Sequence, residues 1–167
     1  MPVRRKKKFN RGYRIMPTLD LGDNIIKNTR ALVFKKENGQ RHFLLTFEQG
    51  ENYTLPGGCK DLEDQDLLAA MKRELKEELG LEKADYIITP TNIQRIYENL
   101  YNDPTRERFH KNTVMSLFIV ECKDERRLKA GKDIESVVWL DEESVRKVLK
   151  YREMKEMFEL GMSLLKL

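Results

Sequence analysis

The sequence predicts an α/β sandwich built on a mixed β-sheet. Three observations carry this. Strand-like apolar runs alternate with stretches of helical periodicity. Asn38-Gly39, the dipeptide that most readily takes the positive φ angles of a tight hairpin turn, separates two of the runs. The 167 residues, 40% hydrophobic and 36% charged, suit one domain with a modest core.

Taken in order, residues 1–27 form a basic arm and lead-in. Arg4, Arg5, Lys6, Lys7, Lys8, Arg11 and Arg14 precede the first acid, and taking these seven from the net charge of +4 leaves −3 for residues 15–167. Such an arm can hold RNA phosphates by charge, with Phe9 and Tyr13 interleaved for stacking, or remain a solvated tail. Strands are expected near 29–36 and 41–48, on either side of the Asn38-Gly39 turn. "NYTLPGG" then reads as a short extended piece, because Leu55 before Pro56 is pushed out of the helical region.

A helix begins after Asp64 or Asp66 as N-cap and stops at Gly80. Leu68, Met71, Leu75 and Leu79 form its apolar face within roughly 80°, while Glu74, Glu77 and Glu78 occupy a separate arc of about 100°. "ADYIITPTNIQRIYENLY" and "NTVMSLFIVEC" read as strands around a polar loop, and "SVVWLD" as a further strand. Asp141 caps the next helix, and "REMKEMFELGMSLLKL" continues as amphipathic helix interrupted near Gly161. Met154, Met157, Phe158, Met162 and Leu165 form an apolar stripe there, which covers the sheet or forms a weak homodimer.

Several classes are disfavoured by composition. No apolar run approaches the roughly 20 residues that span a bilayer, and no apolar segment follows the basic start as in a signal peptide, so a cytoplasmic protein is expected. Cys59 and Cys122 are far apart, with no CxxC pair, and read as free thiols.

Carboxylates three and four residues apart on a helix repel one another. In "RELKEELG" this is offset either by solvation beside Lys72, Arg73 and Lys76 or by a divalent cation, for which hard oxygen donors suit Mg²⁺. The surroundings are decisive. The run "LPGGCKDLEDQDLLAAMKRELKEELGL" resembles the signature of the Nudix hydrolases: Gly, five residues, Glu, seven residues, then Arg-Glu-aliphatic-any-Glu-Glu-any-Gly-aliphatic. Arg73, Glu74, Leu75, Glu77, Glu78, Gly80 and Leu81 match every defined position of the second half. In the first half Gln65 stands where the family has Glu and Cys59 where it has Gly. One extra loop residue accounts for this, with Asp64 or Glu63 supplying the acid.

The resemblance covers about residues 28–150 and leaves 151–167 as an additional C-terminal helix. It implies a Nudix-like α/β/α sandwich and a pyrophosphohydrolase using Mg²⁺ or Mn²⁺ to cleave a nucleoside diphosphate linked to another moiety by water attack on phosphorus. Carried over by position, Glu77 and Glu78 are the main metal ligands, Glu74 a ligand or base, and Arg73 the orienting partner of these acids. Gly57 and Gly58 let backbone approach metal or phosphate. Asp133 and Glu135, with Glu107 as an alternative, are candidates for a further acid, and His110 for a phosphate contact or proton transfer. His42 reads as structural. Tyr97, 17 residues after Gly80, stands near the tyrosine of family members acting on dinucleoside polyphosphates, and it or Phe47 is a candidate for base stacking. A nucleotide sensor with little turnover and an RNA-binding or decapping protein are the competing functions.

Overall fold

Asn38 and Gly39 both adopt left-handed backbone, with φ of 52° and 76°, and turn β1 (Ile25–Glu37) back into β2 (Gln40–Glu48). The computed structural model describes residues 25–48, 52–98 and 111–166. The basic arm, Glu107 and His110 lie outside them.

β1 runs parallel to β6 (Asn112–Cys122), from Ile25 opposite Asn112 to Phe34 opposite Glu121. All other ladders are antiparallel, which makes the sheet mixed as expected. The order is β3 (Tyr53–Thr54), β2, β1, β6, β5 (Tyr86–Tyr97), with β4 (Gly57–Cys59) on β1 and β7 (Ile134–Leu140) on β2.

One edge of β1 changes partner along its length. Asn28, Thr29 and Arg30 pair with Cys59, Gly58 and Gly57 of β4, whereas Phe34 to Glu37 pair with β2. Between the two ladders the Ala31 N–H donates to the Pro56 carbonyl at 2.8 Å. Strand residues alternate faces, so β1 feeds two cores. Ala31 and Val33 pack with Met71, Leu75 and Leu79 of α1 (Leu67–Leu79), and Leu32 and Phe34 pack on the opposite face with Met157 and Phe158 of α3 (Arg152–Leu165). Of the expected apolar face of α1, Leu68 alone is only partly buried.

α2 (Glu142–Val148) is capped by Asp141, which accepts from the Ser144 N–H at 2.8 Å. α3 departs from the expected break near Gly161: it is continuous, and Gly161 is buried within it. A Cβ there would stand 2.7 Å from Leu32 Cδ2 and 3.3 Å from Leu117 Cδ2, so the glycine brings the helix close to the sheet. Met154, Met157, Phe158 and Met162 are buried in the chain's own core, so the stripe that motivated a homodimer is covered in cis. Neither Cys59 nor Cys122 is in a disulfide, and Cys59 Sγ accepts from Asn28 Nδ2 at 3.5 Å. Among the described residues no helix is long and apolar enough to cross a membrane.

Phe158 meets Phe43 edge-on at a centroid distance of 5.4 Å. Phe158→Ala is therefore expected to destabilise the fold by about 3–5 kcal/mol, read from urea denaturation. A loss below about 1 kcal/mol would show that α3 is not part of the cooperative core.

Candidate active site

Asp66 caps α1 by accepting from the Ala69 N–H at 2.7 Å, and Gly80 ends the helix in left-handed conformation, its N–H shared by the Leu75 and Lys76 carbonyls. Residues 73–78 are thereby laid across β4. Glu74 rests on Gly58, where any Cβ would strike its carboxylate, and Gly57 leaves no room for a Cβ against the Thr29 carbonyl. Gly58 lets the helix approach β4 this closely, and Gly57 lets β4 close on β1.

Arg73 gathers the surrounding acids. Its Nε donates to both oxygens of Asp64 at 3.0 and 3.2 Å, and its Nη2 to Asp64 Oδ2 at 2.9 Å and the Cys59 carbonyl at 3.0 Å. Nη1 reaches Glu74 Oε1 at 3.0 Å and Glu77 Oε2 at 3.1 Å. Asp64 is buried and also accepts from the Asp61 N–H at 2.8 Å. The Arg73 hydrogen bonds hold its carboxyl below the usual carboxylate range, while Asp64 holds the guanidinium proton more firmly than usual. Of the two acids offered by the shifted first half of the motif, Asp64 takes the place beside the arginine, and Glu63 is exposed.

Glu78 is set differently. Its Oε2 accepts from the Gly57 N–H at 3.1 Å, and burial pushes its carboxyl up to about 8, with Arg30 opposing and the negative charges of Glu74 and Glu48 reinforcing. Burial also raises Glu74, against the pull of Arg73. Glu77 is more exposed. Arg30 and Glu48 are additions that the sequence reading missed. Arg30 donates from Nη1 to the Leu55 carbonyl at 2.9 Å and from Nε to Asn28 Oδ1 at 3.1 Å, which fixes its charge at the parting of the two ladders. A cation inside the strand-like run "TRALVF" was its only signal in the sequence.

The remaining sequence candidates lie at the start of β7, on β5 and on β2. Asp133, in left-handed conformation at φ 71°, and exposed Glu135 lie at the start of β7, where Ile134 pairs with Glu48. The segment before them closes on the end of α1: the Gly131 N–H donates to the Glu78 carbonyl at 2.8 Å and the Lys129 N–H to that of Leu79 at 3.1 Å. Tyr97 requires a correction. It is fully buried in the core beneath α3, so its ring has no accessible face on which to stack a base. Phe47 is half-buried against Tyr53, with ring centroids 4.9 Å apart.

Among the described residues, no three carboxylate, histidine or cysteine side chains already converge as a cation cage, since Glu74 and Glu77 lean on Arg73. The donor set nonetheless fits a hard divalent ion. All donors are carboxylate oxygens, and two of the carboxyls have pKa values raised by burial, so a cation beside them would offset an existing cost.

The family model for the NUDIX domain matches residues 27–160, ending within α3. Solved structures share the fold. A Caenorhabditis elegans Ap4A hydrolase binary complex superposes with a TM-score of 0.69 at 20% identity, over 84% of this chain and 98% of that one. The Escherichia coli dihydroneopterin triphosphate pyrophosphohydrolase gives 0.66 at 15% identity, over 80% and 92%. The NUDIX domain of Shewanella oneidensis NrtR complexed with ADP ribose gives 0.62 at 16% identity, over 84% and 88%. No curated protein matches the sequence.

Arg73→Met keeps the stem but strands the buried Asp64, and should cost about 3 kcal/mol at pH 7. Because the folded-state pKa of Asp64 is depressed, the stability from this pair is complete above the ordinary value of 3.8 and is lost as pH falls through the lower folded value. Urea denaturation of the wild type and the variant should therefore differ at pH 7 and converge in strong acid. A gap independent of pH would assign the loss to packing instead.

Proposed function

The chain belongs to the Nudix family of hydrolases acting on pyrophosphate bonds, and on that premise we propose that it cleaves a nucleoside diphosphate linked to another moiety, using Mg²⁺ or Mn²⁺ and the acidic ridge of α1. The observation that carries this reading is the seating of Glu74 and Glu78 directly over Gly57 and Gly58, with Arg73 holding the ridge to the loop after β4.

Glu74, Glu77 and Glu78 would hold the cation, with waters completing its shell. The ion, when bound, supplies neutralisation of phosphate oxygens and a lowered pKa for bound water. The protein's own share is positional. Arg73 orients Glu74 and Glu77 through one nitrogen, and Arg30 places positive charge beside Glu78. The glycine pair seats the ridge, because a Cβ at Gly58 would strike the Glu74 carboxylate and one at Gly57 the Thr29 carbonyl.

The displaced first half of the motif is what favours a sensor with little turnover. Asp64 meets that objection, since it gives Arg73 a bidentate partner despite the extra residue. Purified protein should turn over at least one member of a panel of nucleoside diphosphate derivatives with Mg²⁺ or Mn²⁺ present. Glu78→Gln should lower kcat by at least about 100-fold with the fold unchanged by circular dichroism. Inactivity across the panel, together with no divalent binding by calorimetry, would refute the reading.

A further inference from the structure

α1 leaves part of its own sheet face uncovered. In front of the helix N-terminus lies an open cavity of about 500 Å³, walled by Lys27 of β1, Lys60 after β4, Leu67 at the start of α1, Gln94 of β5, and Ser116 and Phe118 of β6. None of the ridge acids lines it; its one carboxylate is that of Asp66, already taken by the Ala69 N–H at 2.7 Å as the cap of α1.

Its placement follows from strand and helix periodicity. Gly58 and Lys60, two residues apart in extended chain, project to the same side, and so do Lys27 and Thr29. Thr29 pairs with Gly58 and also with Ser116, and the Lys60 N–H donates to the Lys27 carbonyl at 2.8 Å. The cavity thus opens on the face where Glu74 lies over Gly58, about 7 Å of chain away. On the helix, Leu67, Glu74 and Glu78 stand at i, i+7 and i+11, so they share one stripe about 40° wide. A molecule lying along this stripe from Glu78 toward the helix start runs into the cavity.

Two lysines and a polar pair stand in a lining that is otherwise largely apolar, with Leu67, Leu68, Pro90 and Phe118. Lys27 is exposed, and among the described residues neither it nor Lys60 lies within ion-pair distance of a carboxylate; Lys60 Nζ donates only to the Asp61 carbonyl at 3.2 Å. Gln94 Nε2 donates to Ser116 Oγ at 3.0 Å, which presents an amide and a hydroxyl on the cavity wall. Two lysines that, among the described residues, have no carboxylate within ion-pair distance match further phosphate charge.

We propose that this cavity is a subsite for a phosphate chain extending beyond the two phosphates held at β4, with Lys27 and Lys60 as its counter-charges. This rests on the hydrolytic reading above and narrows its substrates to nucleotides with a polyphosphate chain.

The test uses the full chain in three forms: wild type, the double variant Lys27→Met/Lys60→Met, and Lys147→Met as a surface control. The basic arm is common to all three and cancels in the comparison. Inorganic tripolyphosphate, titrated calorimetrically without metal, should bind the double variant about tenfold more weakly than the other two, the scale of two charge-assisted contacts at an exposed site. With Mg²⁺, the double variant should show a raised KM for a nucleoside tetraphosphate and an unchanged KM for a nucleoside diphosphate sugar. Equal tripolyphosphate affinity in all three forms, or equal KM effects on both substrates, overturns the subsite. Weaker tripolyphosphate binding in a protein that hydrolyses no nucleotide upholds the subsite and rejects the hydrolytic reading.

Discussion

Arg73 presents a rigid fork of N–H donors, and it divides them between two segments of the chain. One side of the fork takes the carbonyl of Cys59, the last residue of β4, and Asp64 in the loop that follows. The other takes Glu74 and Glu77, on the helix. Loop and helix are therefore held in one register by a single charge. A lysine would keep that charge, but a compact ammonium cannot address all these acceptors in a plane. The geometry of the acidic ridge depends on the guanidinium rather than on charge alone.

With that register set, the strand beneath can do something unusual for a central strand. β1 exchanges β4 for β2 along one edge, and near the parting of the two ladders the Gly57 N–H donates to Glu78, within reach of the Arg30 charge. A carboxylate in such a place is costly, and the raised pKa of Glu78 expresses that cost. It is tolerated because the Gly57 N–H and the Arg30 charge oppose the burial, although Glu74 and Glu48 add to it. The same balance makes the site receptive to a divalent ion, since a cation relieves what the protein alone only partly compensates.

The two faces of the sheet are covered unequally. On one, α3 carries Met154, Met157, Phe158 and Met162 into a closed core, with Gly161 allowing contact with Leu32. On the other, the thirteen residues of α1 bury their apolar stripe but end short of the β5 and β6 edge, leaving the lysine-lined cavity. The adaptable methionines seal the closed face, and the open face is left for charge.

By itself the sequence determined the elements and the chemistry of the ridge. Asn38-Gly39 specified a hairpin because few dipeptides accept two positive φ angles, Asp66 and Gly80 bounded α1 through local capping, and the spacing of Glu74, Glu77 and Glu78 put them on one flank because helical geometry is nearly invariant. All of these are short-range effects, legible within a few residues. Only the tertiary structure decided which acid answers Arg73, that Tyr97 lies inside the core, that the α3 stripe is buried in cis without a break at Gly161, and that the charges of Arg30 and Glu48 act on Glu78. Those outcomes turn on contacts between residues nine to more than a hundred positions apart. Such contacts depend on how strands pair and which face each side chain meets, and neither is written in local periodicity.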